Sequence, residues 1–227
     1  MPKVFVPTSG PEEWKHLLTK PDLHWKRGRS ARSTAYSWEA ANALPGEIET
    51  LLETCPQFNS ESPELLAAFP EWKVPLPGGD RDSQSDVFAL VRCGTQTLAV
   101  AIEAKVSETF GPTVAEWLVN ASDGKKERLA YLCERLGLDQ NGIGALRYQL
   151  FHRTVSAIIE RDRFGMDVAA MIVHSFSQTH EWIDDYQAFV RILGGSGERG
   201  VLDCVQLPDG QPLHLGWATG DAQFLEA

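Results

Sequence analysis

Two neighbouring segments rich in β-branched and aromatic residues constrain the fold of this chain more than any other feature. They span residues 86–93 and 97–106 and are separated by Gly-Thr-Gln at 94–96, a pattern that predicts a β-hairpin. Residues 98–102, Leu-Ala-Val-Ala-Ile, are almost uniformly apolar, which is typical of a strand covered on both faces. We therefore expect the hairpin to lie in a central sheet flanked by helices.

The rest of the chain predicts the elements around that sheet. Apolar residues recur at helical spacing in four segments: 114–118, 126–136, 146–164 and 181–193. Helices are also expected near the N-terminus up to about residue 20, and over 33–44 and 47–55. Residues 168–176 form a nearly continuous apolar run after a long helix, which predicts a buried, central strand reached by a crossover connection. A last hairpin is expected from 201–207 and 214–218.

Residues 56–82 have a different composition. Five prolines and two adjacent glycines predict a loop-rich connection with a short helix over 62–69. The whole chain, 227 residues of which 43% are hydrophobic, is long enough for one sizeable core. We expect a single α/β domain over 1–227, with an N-terminal helical portion, 1–82, and a C-terminal hairpin, 198–227, as elaborations.

Several classes of protein are disfavoured by the composition. No apolar run is long enough to cross a bilayer, and the first residues lack the pattern of a secretory signal, so we expect a cytoplasmic protein without a membrane partner. Phosphate-loop and serine-hydrolase motifs are not found. The cysteines form no C-x-x-C pair and are expected to be reduced core thiols: Cys55, Cys93, Cys133 and Cys204.

The formal net charge of −10 opposes binding to nucleic acid, but the charges are unevenly distributed. Residues 15–32 carry six lysines and arginines against one acid, Asp22. Lys26, Arg27 and Arg29 in this basic segment are candidate contacts to a phosphate backbone. An equally acceptable interpretation is a solvated surface that acidic neighbours neutralise.

Three residues of the hairpin could carry chemistry. Glu103 and Lys105 are two positions apart near the end of the second strand and therefore share a face. Asp86 opens the first strand, and a tight hairpin brings that position beside the end of the second strand. The alternative is that Glu103 and Lys105 are only the polar face of an exposed strand. Because the preceding residues are almost all apolar, the charged groups need partners or a metal ion, and this favours a site.

These residues resemble the signature of the PD-(D/E)xK nuclease superfamily: Asp86 on one strand and Glu103-Ala104-Lys105 on the next, with Ser85 where the signature has proline. The resemblance implies a restriction-endonuclease-like core in the order αβββαβ. No clear strand follows Lys105, so either the third strand of the meander is short or residues 74–76 supply the first.

The resemblance also implies roles for individual residues. Asp86 and Glu103, with the carbonyl of Ala104, would ligate Mg²⁺ or Mn²⁺, and Lys105 would orient or deprotonate the attacking water. Glu39 corresponds to an acid that many members carry on the helix before the meander, although it could equally be an exposed helix residue.

The helix predicted over 146–164 adds two further candidates. Gln149 corresponds to a glutamine found near the active site of some members, and Arg153, one turn on, is a possible phosphate contact. Structural roles are equally open for both.

The sequence therefore predicts a Mg²⁺-dependent hydrolase that cleaves phosphodiester bonds of nucleic acid, DNA more readily than RNA, with a homodimer as an open expectation. The alternative is a catalytically inactive nuclease-like fold that serves as a protein- or nucleic-acid-interaction module, which the acidic charge favours.

Overall fold

The computed structural model describes residues 8–58 and 62–227. The strands are β1 (Glu64–Val74), β2 (Ser83–Cys93), β3 (Gln96–Lys105), β4 (Val168–Ser175), β5 (Asp203–Gln206) and β6 (Pro212–Thr219). The helices are α1 (Pro21–His24), α2 (Ser30–Ala41), α3 (Gly46–Glu53), α4 (Val114–Trp117), α5 (Asp123–Leu136), α6 (Tyr148–Phe164) and α7 (Ile183–Ile192). Shorter 3-10 helices span Pro11–Leu17, Pro56–Phe58 and Ala222–Leu225.

The strands form one six-stranded sheet in the order β1-β2-β3-β4-β6-β5. β1, β2 and β3 are an antiparallel meander, β4 is parallel to β3, β6 is parallel to β4, and β5 is antiparallel to β6. Helix α6 lies in the connection between β3 and β4. The predicted α/β fold with a mixed central sheet is thus confirmed.

Helices cover both faces of the sheet. On one face α5, α6 and α7 pack against alternate residues of β3 and β4, among them Ala101 and Val173. On the other face α2 and α3 bury Trp38 and Ile48 against residues that include Ile102. Successive strand residues point to opposite faces, so Glu103 and Lys105 share the α6 face with Ala101.

The helices and strands predicted after residue 82 are confirmed. The hairpin is β2 and β3, the buried crossover strand is β4, and the last hairpin is β5 and β6. Helices α5 and α6 end at Gly137 and Gly165, which adopt left-handed conformations with φ of 69° and 65°.

The prediction for residues 56–82 was wrong. In place of a loop with a short helix, an 11-residue strand, β1, pairs with β2 along its length, so the N-terminal portion is not only helical. Residues 59–61 lie outside the described residues. The segment Glu-Leu-Leu-Ala-Ala has high helix propensity, but pairing with a neighbouring strand overrides local propensity. Pro70 is tolerated because β1 is an edge strand. β1 therefore supplies the first strand of the meander.

Cysteine placement agrees with the sequence in three cases. Cys55, Cys93 and Cys133 are buried free thiols, but Cys204 is exposed, because it lies on the edge strand β5 and not in the core. No helix among the described residues is both long and apolar enough to span a membrane.

Candidate functional site

Three carboxylates lie side by side on neighbouring strands, and we call them the acid row: Glu71 on β1, Asp86 on β2 and Glu103 on β3. The Cα pairs that flank them fix the register: Pro70 with Val87, Trp72 with Ser85, and Val87 with Ile102. Residues directly opposite one another on antiparallel strands project from the same face. All three acids, together with Ala104 and Lys105, line one cavity of about 510 Å³.

Asp86 is fixed against β3 by the backbone. Its Oδ2 accepts a hydrogen bond of 2.7 Å from the amide of Ala104, the middle residue of Glu-Ala-Lys. The hairpin thus brings Asp86 and Glu103 together as the sequence predicts. Ala104 donates its amide here, and its carbonyl remains the candidate metal ligand.

Glu103 is buried, with 3% of its surface exposed, and three side chains surround its carboxylate. Lys105 Nζ and Gln149 Nε2 donate to Oε1, the latter at 2.7 Å. Arg153 Nε donates to Oε2 at 2.5 Å. Gln149 and Arg153 lie one turn apart on α6, so both predicted α6 residues reach the site. We call this arrangement the Glu103 clamp.

Sequence reasoning missed Glu71. It adopts a left-handed conformation, φ 53°, within a strand, a conformation that is uncommon for residues other than glycine. Gln84 Nε2 donates to its Oε2 at 2.5 Å. Backbone strain of this kind concentrates at functional sites. Glu71 could have been found only by recognising Phe-Pro-Glu-Trp at 69–72 as part of a strand opposite Asp86.

The three acids have different affinities for protons. Burial and the nearby charge of Glu103 raise the pKa of Asp86 to about 7. Burial and Asp86 raise the pKa of Glu71 to about 8. Burial also opposes ionisation of Glu103, but the Arg153 and Lys105 cations outweigh it, so the pKa of Glu103 is lowered. The row is therefore short of positive charge on its Glu71 and Asp86 side.

The structure does not bring Glu39 into the site. Helix α2 packs on the sheet face opposite to Glu103, and only its first turn, Ser30 and Ala31, lines the cavity. Glu39 is nine positions further along the helix, roughly 13–14 Å away. Its Oε1 instead accepts hydrogen bonds from Trp14 Nε1 at 2.7 Å and Thr8 Oγ1 at 3.1 Å. The assignment of Glu39 to the metal site was wrong.

The basic segment lies at the mouth of the same cavity. His24 and Ser30, which flank Lys26, Arg27 and Arg29 in sequence, both line it. The three cations are exposed. Arg29 Nη1 lies 3.9 Å from Glu108 Oε1, and Glu108 also lines the cavity.

His152 is a second residue that sequence reasoning passed over. Its Nδ1 lies 2.9 Å from Ser83 Oγ and 3.2 Å from Arg153 Nη1. A guanidinium can only donate, so Nδ1 accepts, and the proton of the neutral ring is on Nε2. Burial and the neighbouring Arg153 charge hold the pKa of His152 well below 6.5, which keeps the ring neutral.

The donor set fits a hard divalent cation such as Mg²⁺ or Mn²⁺, which prefers carboxylate oxygens. Burial and repulsion between the acids raise the pKa values of Asp86 and Glu71, and the nearby cations offset this only in part. Among the described residues, however, no three histidine, cysteine, aspartate or glutamate side chains are already arranged to hold a metal ion. The Lys105 and Arg153 side chains of the Glu103 clamp donate to both oxygens of Glu103.

The fold and site can be compared with known proteins. The family described as a domain of unknown function, DUF6946, matches residues 7–222, and the chain belongs to that family. No curated protein and no solved structure shows a significant match to the chain.

Proposed function

We propose that this protein is a metal-dependent nuclease of the PD-(D/E)xK kind that hydrolyses phosphodiester bonds in DNA. The observation that carries the proposal is the acid row beside Lys105. Two carboxylates, Asp86 and Glu71, have raised pKa values, and a buried ammonium lies two residues from the third acid. A purely structural cluster has no need of such uncompensated acids.

The order of elements also supports the proposal. A helix precedes the antiparallel meander β1-β2-β3, helix α6 follows, and β4 returns parallel to β3. This is the αβββαβ order that the resemblance implies. The acid row lies near the carboxyl end of β3, where α/β sheets commonly bind ligands.

Asp86, Glu71 and Glu103, with the carbonyl of Ala104, would hold Mg²⁺ or Mn²⁺. When bound, such an ion supplies positive charge for the pentavalent phosphate and acidifies water. Glu71 takes the place that the resemblance gave to Glu39.

The remaining side chains position the reactants. Lys105 Nζ is buried against Glu103 and lies 5.0 Å from the ring centre of Phe110, so it is held at one place and can orient the attacking water. Gln149 and Arg153 keep the Glu103 carboxylate in register with Asp86. We regard them as positioning residues.

The position of the basic segment makes nucleic acid the favoured class of substrate. Exposed cations at the mouth of an acidic cavity attract a phosphate backbone that the net charge of −10 would otherwise repel. Lys26, Arg27 and Arg29 would contact phosphates away from the scissile bond.

One observation favours a catalytically inactive interaction module instead. The Glu103 clamp satisfies both carboxylate oxygens without any metal ion, as a structural ion pair would. In such a module Arg153 and Lys105 would serve only to neutralise a buried acid.

A cleavage assay separates the two functions. Purified protein should nick or degrade DNA with Mg²⁺ or Mn²⁺, and a chelator should abolish the activity. Asp86→Asn and Glu71→Gln should lose both metal binding and activity, Lys105→Ala should lose activity but keep the metal, and Glu39→Gln should retain both. If the wild type and all variants show equal, trace cleavage, the nuclease proposal fails and the interaction module is favoured.

A further inference from the structure

We propose that the active-site cavity continues into a second cavity, which binds the neighbouring nucleotide of a single-stranded nucleic acid, with His152 between the two. The inference rests on the proposed nuclease function and specifies its substrate as a strand and not a free nucleotide or an intact duplex.

The second cavity adjoins the acid row. It has a volume of about 490 Å³ and lies between the β1–β2 loop and helices α4, α5 and α6. Asp82 and His152 line both this cavity and that of the acid row. A strand whose scissile phosphate lies at the acid row would therefore pass His152 to reach the second cavity.

His152 presents a hydrogen-bond donor at this junction. Because Arg153 and Ser83 engage Nδ1, the N–H group is on Nε2, and no described residue accepts a hydrogen bond from it. The side chain is half-buried, so Nε2 can meet a ligand within the cavity. A phosphate or sugar oxygen is the matching acceptor.

Aromatic and cationic groups line the cavity itself. Trp117 and Tyr148 stack with ring centres 3.9 Å apart and planes 10° from parallel. Lys125 Nζ donates to Trp117 O at 2.7 Å and lies 5.1 Å from the Trp117 ring centre. Tyr148 stacks on Trp117 and Lys125 lies over the Trp117 ring, so the aromatic pair is a packed wall and the Lys125 ammonium is the group here that can meet a phosphate.

The β1–β2 loop forms another wall of the cavity, and Arg128 holds it in place. The Arg128 guanidinium donates to four loop carbonyls, those of Leu76, Pro77, Gly79 and Arg81. Gly78 has φ 79°, and a Cβ there would lie 2.1 Å from Gly124 O, so only glycine fits. A cavity formed before binding loses little entropy when a ligand enters.

The charge of the cavity suits one phosphate. Its cations exceed its acids by a single charge: Arg81, Lys125 and Arg128 against Asp80 and Asp82. A duplex presents a dense line of phosphates on two strands, which this balance does not match. One nucleotide beyond the scissile phosphate is therefore the ligand that fits.

Binding measurements test the inference. Ca²⁺ is present to prevent turnover, and fluorescence anisotropy follows the release of a fluorescein-labelled single strand from the protein. The competitors are thymidine monophosphate, its dinucleotide and a longer oligodeoxythymidylate. The dinucleotide should compete about tenfold better than the mononucleotide. Lys125→Ala and His152→Asn should remove that advantage. Lys126→Ala, a change of the next and exposed lysine on α5, should leave it intact.

The His152 variants separate contact with the strand from structural support. In His152→Asn the side-chain oxygen can still accept from Arg153, but the outward N–H is withdrawn. In His152→Gln an amide N–H reaches the former Nε2 position and should restore binding. Binding of Mn²⁺, followed by titration, should be unchanged in all variants.

The outcomes distinguish the two proposals. If wild type binds Mn²⁺ and the strand but the dinucleotide advantage survives in Lys125→Ala and His152→Asn, the second cavity is not a nucleotide site and the nuclease proposal stands. If wild type binds Mn²⁺ and no strand, or prefers the duplex, the inference is also wrong. If wild type binds neither Mn²⁺ nor nucleic acid, both proposals fail.

Discussion

Individual carboxyl groups of the acid row make the metal-free protein sensitive to pH. Asp86, with its pKa raised to about 7, and Glu71, raised to about 8, hold their protons more tightly in the folded chain than in the unfolded chain. Such groups lower the free energy of unfolding as pH rises from the unfolded pKa through the folded pKa. The contribution of these two groups to stability therefore falls between about pH 4 and about pH 8.

Neutralising Asp86 should stabilise the protein while destroying its site. In Asp86→Asn the side-chain oxygen can still accept from the Ala104 amide, but no buried charge remains. We expect the free energy of unfolding without metal at about pH 8 to increase by about 1–2 kcal/mol, with a smaller gain at about pH 5. Urea denaturation at both pH values measures this. An equal gain at both would contradict the assigned pKa of Asp86.

Metal affinity should depend on the same protons. Asp86 and Glu71 must ionise before they can ligate, so the apparent affinity for Mn²⁺ should rise with pH until about pH 8 and each binding event should release protons below that. Calorimetry in buffers of different ionisation enthalpy counts these protons. Glu39→Gln is the control and should change neither the number of protons released nor the affinity for Mn²⁺. Uptake of protons on binding would be incompatible with the acid row as the set of metal ligands.

At the scale of elements, the site depends on how helix α6 lies against strand β3. Gln149 and Arg153 reach Glu103 because they are one turn apart on the face of α6 that covers the strand. Removing one partner of a buried ion pair leaves the other uncompensated. The Glu103 clamp therefore fastens α6 to β3 as well as positioning the acid.

Breaking the clamp should destabilise the protein through Glu103. Arg153→Met should lower the free energy of unfolding by about 2–3 kcal/mol, since Lys105 still compensates part of the Glu103 charge. Glu103→Gln in the same chain should recover more than half of that loss. Thermal and urea unfolding of the single and double variants measure the coupling. Additive losses would show that Arg153 acts without Glu103.

The elements also explain what the sequence could predict. The hairpin and β4 were predictable from their apolar, β-branched runs, and α6 from its helical spacing of apolar residues. Asp86, Glu103 and Lys105 followed from the hairpin. Glu71 could not be predicted, since β1 contains strong helix formers and a proline, and these favour a loop with a short helix over a strand. The error at Glu39 arose because the sequence does not tell which face of the sheet α2 covers.

For the whole molecule, the distribution of charge matters more than its sum. The net charge is −10, yet the basic segment lies beside the mouth of the acid-row cavity. Electrostatic attraction of this kind is local and is screened by salt. The affinity for nucleic acid should therefore fall steeply as the salt concentration rises, although the protein as a whole is acidic.

Reversing one charge of the basic segment tests this. Arg27→Glu should weaken affinity for DNA and reduce the slope of its logarithm against the logarithm of salt concentration, because one phosphate contact is lost. Arg191→Glu, on the exposed side of α7, makes the same change in net charge away from the cavity. If both variants alter affinity equally, net charge and not the basic segment controls binding.

The single guanidinium that holds four carbonyls of the β1–β2 loop also bears on how the chain folds. Arg128 lies on α5, 47 to 52 positions away in sequence from the carbonyls it binds. The loop therefore cannot reach its final shape when β1 and β2 first pair, because it must wait for α5 to dock. Such non-local closure is slow relative to local contacts. We therefore expect one wall of the second cavity to be completed after the strands that carry the acid row have paired.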